Sequence, residues 1–184
     1  MFDQEDEKII QQLGILYHIN ALDMQDLVKQ SMIENHLNSR LLAQNCRNYY
    51  DLKMPEKFTE VFHKQSPLLQ SEKHGESSLQ KHIYYLENSS HYDLLKHKKA
   101  GKEPLKRDLQ VVESVLTTLQ LEPGVVNVLI ETTLQKCNQS LPKNFIEALG
   151  SQWKRKKIKT VHEAIEEGKA YLKYKNQQHH DWDD

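Results

Sequence analysis

The stretch FIEALGSQWKRKKIKTVHEAIEEG, residues 145–168, decides how the chain folds. Phe145, Leu149 and Trp153 recur every four residues and Ile146 joins them, so one face of a helix is apolar along its length. Thr160 followed three residues later by Glu163 makes a capping box. It starts a second helix, whose inner face is Val161, Ala164, Ile165, Gly168 and Leu172. Between the two lies KRKKIK, residues 154–159, with five cations in six positions. These fall on the last turn of one helix and the connection to the next, where the negative end of the helix dipole favours them.

The same period extends upstream. Pro142 begins the first of those helices and Pro123 the one before it, whose inward residues are Val126, Leu129, Ile130, Thr133 and Leu134. Leu109, Val112, Leu116 and Leu119 mark a helix ending near Leu121. Ser89 or Ser90 caps a short helix, HYDLLKHKK, that Gly101 ends, and LQKHIYYLE before it is helical in pattern. Nearer the start, Ile9, Ile10, Leu13, Leu16 and Tyr17 form one face, and Met24, Leu27, Val28, Ser31 and Met32 another. Ser39 caps a third helix with the face Leu42, Cys46, Tyr49 and Tyr50, and Pro55 suits the first turn of a fourth carrying Phe58, Val61 and Phe62.

The expected fold is all-α, in two helical clusters joined by a linker. The N-terminal cluster is 1–63, the Ser-, Pro- and charge-rich linker is 64–78, a second domain is 79–176, and an acidic tail is 177–184. Laying the helices of 7–50 over those of 109–153 pairs Leu27-Val28 with Leu129-Ile130 and Leu42, Cys46, Tyr50 with Phe145, Leu149, Trp153. Duplication and chance helical matching both account for that pairing.

A chain of 184 residues with 38% hydrophobic content can bury a core, and few glycines and prolines favour helices. No run of eighteen apolar residues occurs, and the start MFDQEDEKII is acidic where a secretion signal would be basic and then apolar. A cytoplasmic location is expected, with any membrane contact peripheral. Cys46 and Cys137 are expected as buried free thiols. The net charge of −1 hides segregation: residues 1–90 carry −4, 91–175 carry +6 and the last nine −3. A basic half of this kind is what an anionic partner meets.

Several chemistries have no residues to carry them. No Gly-rich phosphate loop and no HExxH occurs, and the histidines lack metal-ligand spacing. His179-His180 beside Asp181 reads as a polar tail. The carboxylates fall mostly on solvent faces, so no catalytic residue, cofactor or metal is expected.

The basic run has two readings. Phe145, Leu149 and Trp153 facing a core, with KRKKIK as a solvated connection, is the plainer one. A surface that grips anions is the other, because like charges at this density repel one another until an anion relieves them. Lys96, Lys98, Lys99, Lys102, Lys106 and Arg107 form a second cluster within twelve residues. If both clusters share a face they make a phosphate stripe from Lys154, Arg155, Lys156, Lys157 and Lys159 onward, little concerned with base sequence. Trp153 either buttresses that edge or stacks a base, and Tyr171, Tyr174 and Trp182 are open to the same two roles. A protein-only scaffold, whose basic edge docks an acidic partner, is the alternative.

The text from Glu103 to Gly168 resembles the DnaD/DnaB homology domain of Gram-positive primosomal proteins, a match extending over about 79–175. It is carried by GVVNVLI at 124–130, by F-x3-L-x3-W at 145–153 and by IKTVHEA at 158–164, and residues 1–62 look like the helical region that precedes the domain. The resemblance implies an all-helical, non-enzymatic replication-initiation protein that binds single- and double-stranded DNA. It further implies a role in recruiting or loading the replicative helicase, together with a DnaD-like primosomal protein and a helicase loader ATPase. Homo-oligomers and peripheral membrane association are implied as well. The family often has Y-x3-I-x3-W, tied to DNA binding and fold integrity, where this chain has Phe145 and Leu149. That change removes a phenol hydroxyl. Family members begin with a winged-helix module, and none is visible before Met1, so a fragment or truncated relative is expected.

Overall fold

The computed structural model describes residues 3–53 and 77–178. Among them nine helices carry the fold: α1 (Gln4–Leu16), α2 (Ala21–Gln30), α3 (Ser39–Lys53), α4 (Ser78–Asn88), α5 (His91–Lys98), α6 (Lys106–Leu119), α7 (Pro123–Lys136), α8 (Lys143–Arg155) and α9 (Val161–Gln178). Strands β1 (Met32–Ile33) and β2 (His36–Leu37) pair antiparallel between α2 and α3. The fold is all-α, as its periodicity required. Pro55, Phe58, Val61, Phe62, nearly all of the 64–78 linker, and the tail residues His179, His180, Asp181 and Trp182 lie outside the described residues.

Two compact units form, and they do not follow chain order. The first joins α1, α2, the hairpin and α3 to α5 and α6, and the second joins α4 to α7, α8 and α9. The reason lies on α6, where Leu109, Val112, Val115 and Leu116 are buried against α1 and α3. Glu113, on the same helix, is buried as well. It accepts the Tyr17 hydroxyl and pairs with Arg47, whose Nε is 3.0 Å away. A carboxylate expected on a solvent face is thus the polar anchor of a core, since a buried charge needs such partners. Burial, and then the hydrogen bond to Glu113, raises the Tyr17 phenol. Lys106 reaches Asp51 of α3 at 2.5 Å and Gln120 reaches Glu5 of α1 at 2.8 Å, which closes the same seam.

Capping explains where these helices start. Asp3 and Asp6 form a reciprocal box on α1, Asn20 caps α2, and Ser90 caps α5. For α3 the cap is Asn38, whose Oδ1 accepts the Leu41 N–H at 2.9 Å, one residue before the expected Ser39. Met32, read as a helix face, is in the hairpin. Glu34 and Asn35 at its tip both take left-handed backbone, φ 48° and 64°, which suits a two-residue hairpin turn. Ser31 anchors its base, bonding Leu27 O and receiving Asn45 Nδ2.

In the second unit α7 is the central helix. Every residue from Gly124 to Ile130 is buried, because α4, α8 and α9 all pack on it. Its single polar residue in that run, Asn127, donates to Leu86 O and Ser89 O at 2.9 Å each, which satisfies carbonyls left open at the end of α4. His82 of α4 pairs with Glu131 of α7 at 2.8 Å. At Gly168, α9 lies close against α7: a Cβ there would be 2.7 Å from Thr132 Oγ1.

Candidate nucleic-acid interface

The turn from α8 to α9 is a rigid device, built by backbone bonds. Lys157 takes φ 56°, its N–H bonds Lys154 O at 3.0 Å, and Ile158 N–H bonds Trp153 O at 3.2 Å. That pair of bonds, with a left-handed residue just past the helix, is a Schellman ending. Such an ending carries an apolar residue at the position of Ile158, and it is buried at 8% exposure, while Trp153 is buried at 2%. The one apolar residue in the basic run is therefore its anchor. Trp153 lies buried beneath the turn.

The following helix start is equally fixed. Thr160 Oγ1 accepts the Glu163 N–H at 3.2 Å, and Glu163 accepts the N–H groups of Lys159 and Thr160 at 3.0 and 3.1 Å. The capping box is formed. Those two backbone bonds hold the Glu163 carboxyl below the ordinary carboxylate value. Glu163 thus answers the N–H groups of the two residues that precede α9.

Lys154, Arg155, Lys156, Lys157 and Lys159 all stand exposed around this turn. Lys156 reaches both carboxylate oxygens of Glu167, one turn into α9, at 2.5 and 2.6 Å. Among the described residues no ion pair ties Lys154, Arg155 or Lys157. Phe145, half-buried, lies edge-on to Tyr171 of α9, with ring centroids 5.9 Å apart at 70°. Phe145 and Tyr171 thus pack on each other, Ile146 and Leu149 are buried, and the side chain of Tyr174 is outside the described residues.

The second basic cluster belongs to the other packing unit and is largely answered by acids there. Lys96 pairs with Glu103 at 2.5 Å, Lys99 with the buried Asp108 at 2.7 Å, and Lys106 with Asp51. Arg107 approaches Asp108 only to 3.7 Å and is exposed. Lys102 is exposed and Lys98 half-buried. Burial and the hydrogen bond to Glu103 raise the Tyr92 phenol, and burial lowers His18, which packs edge-on against that ring.

Reading the residues alone missed Glu167, Glu113 and the left-handed Lys157. Glu167 carried a signal, since it stands four residues after the capping Glu163 and so points to the same end of α9. The contact of Lys156 across the turn carried none.

The turn and the helices that hold it fall in one recognisable block. Residues 92–168 match the family model described as replication initiation and membrane attachment. That segment is similar to this family. It runs from α5 to Gly168 on α9 and so draws on both packing units. The chain is also 26% identical over 178 residues to the replicative helicase loading/DNA remodeling protein DnaB of Staphylococcus aureus (strain NCTC 8325 / PS 47). The match covers 93% of this chain and 38% of that protein, so the chain spans well under half of its relative's length. No solved structure matches the chain. No helix among the described residues is long and apolar enough to cross a membrane.

Proposed function

We propose that the chain is a helical adaptor of replication initiation that binds DNA through the α8–α9 edge and helps recruit or load the replicative helicase. The observation that carries this reading is the exposed set Lys154, Arg155, Lys157 and Lys159, fixed on a turn whose interior is the buried Trp153 and Ile158. Cations held on a rigid turn lose little freedom on meeting phosphates, and they release condensed counterions without reading bases. The edge therefore binds single and double strands with little sequence preference. Lys102 and Arg107, both exposed, are proposed as further phosphate contacts.

The helicase-loading role comes from the family match and from the name of the staphylococcal relative. It carries with it the expected partners: a DnaD-like primosomal protein, a loader ATPase and the helicase. Peripheral membrane association, homo-oligomers and a cytoplasmic setting belong to the same proposal, as does 79–176 as the homology domain. In this reading the chain turns over no nucleotide and uses no cofactor, its role being to hold partners on DNA. Fluorescence anisotropy with labelled single-stranded and duplex DNA tests the central part. The K154A/R155A/K156A/K157A variant, shown folded by circular dichroism, should lose most of the binding to both. Equal binding by the two proteins would reassign the edge to a protein partner.

A further inference from the structure

Glu163 and Glu167 lie one turn apart on α9, and each occupies a place that a phosphate would take. Glu163 accepts the N–H groups of Lys159 and Thr160, just before α9, and Glu167 holds the Lys156 ammonium through both oxygens at 2.5 and 2.6 Å. The first contact is part of the helix cap and cannot be given up without fraying α9. The second caps nothing. It joins two solvent-facing side chains across a turn that its own backbone bonds already fix, with the Lys156 side chain 58% and Glu167 25% exposed. An ion pair this open to water is weak and exchangeable.

We infer that Glu167 is a built-in competitor for the DNA-binding edge: its carboxylate occupies Lys156, and a phosphate reaches that lysine only by displacing it. The inference rests on the α8–α9 edge being the DNA-binding surface. Lys154, Arg155 and Lys157 are open to phosphates at all times, whereas Lys156 is held in reserve. The carboxylate lowers affinity twice, by occupying one cation and by setting a negative charge beside the incoming backbone. Because phosphate contacts carry no sequence information, this device tunes how tightly the adaptor holds DNA without altering where it binds.

The experiment compares the full chain with E167Q, E166Q, K156A and K156A/E167Q, titrating a labelled duplex over a range of salt. E167Q should bind about three- to tenfold tighter, with a salt slope steeper by about 0.9, the value of one added phosphate contact on B-DNA. E166Q removes the same charge one position away, where Glu166 pairs with Lys169 at 3.0 Å, and should change binding much less. The gain from E167Q should vanish when Lys156 is alanine. Weaker binding by E167Q would show that Glu167 positions the edge and does not compete. An equal gain in E166Q, or a gain that survives K156A, would reduce the effect to net charge; either result overturns the inference. K154A/R155A/K157A in the same series separates the two levels. If it binds as the parent does, the edge itself is misassigned and the inference falls with it. If it loses binding while E167Q gains nothing, the edge stands and the competitor does not.

Discussion

Replacing Gly168 by alanine tests the close packing of α9 on α7. The added Cβ would sit 2.7 Å from Thr132 Oγ1 and 3.5 Å from its methyl carbon, and Thr132 is buried with little room to turn aside. Overpacking of this kind costs about 1–3 kcal/mol. Alanine gains about 1 kcal/mol over glycine in a helix interior, so the net loss should be about 0–2 kcal/mol. The sum alone decides little, but the coupling does. T132A clears the obstructing hydroxyl, so G168A should be nearly harmless or stabilising in that background, a coupling of about 1–2 kcal/mol between the two positions. Urea unfolding followed by far-UV circular dichroism on the four proteins measures it. If G168A stabilises the parent by the full helix-propensity gain, or the two changes add without coupling, α9 does not pack on α7 through this glycine.

Other consequences follow from the same geometry. Lys157 holds a left-handed backbone that costs a residue with a Cβ about 1–2 kcal/mol, so K157G should stabilise the fold by about 0.5–1 kcal/mol while weakening DNA binding; chemical denaturation beside a DNA titration would separate the two, and parallel losses would contradict the reasoning. Burial, and then the charge of Glu113, pushes the Cys46 thiol up to about 12, whereas Cys137 is raised by burial but is half-exposed. A thiol reagent at neutral pH should therefore modify Cys137 in the native chain and Cys46 only on unfolding, and early labelling of Cys46 would show an open first unit. Glu163 has its carboxyl held below the ordinary 4.5 by backbone bonds, so the cap adds stability above that pH and loses it as pH falls through the folded value. E163Q should accordingly be less stable than the parent at neutral pH and draw level in acid, and a gap independent of pH would place the effect elsewhere.

Much of this fold was legible because each helix carries its own local signals. The stripe Phe145, Ile146, Leu149, Trp153 and the Thr160–Glu163 box gave α8, the turn and α9, and Pro123 gave the start of α7. What local signals do not contain is which helices share a core. Nothing near Glu113 in sequence marks it as buried, because its partners Tyr17 and Arg47 are far away in the chain. The hairpin was hidden because its tip, Glu34-Asn35, lacks the glycine that marks such turns. At the candidate interface the basic residues were evident, but their pairing was not. Lys96, Lys99 and Lys106 read as free cations until Glu103, Asp108 and Asp51 are placed beside them. Trp153, open to two roles in sequence, is buried at 2% exposure, which favours packing beneath the turn.

The salt dependence of duplex binding tests the central claim most directly. Plotted as log affinity against log salt, the chain should give a straight line whose slope shrinks by about 2–3 when Lys154, Arg155 and Lys157 become alanine, since each lost phosphate contact removes about 0.9. An unchanged slope in a folded variant would show that these cations meet no phosphate, and the α8–α9 edge would not be the DNA-binding surface.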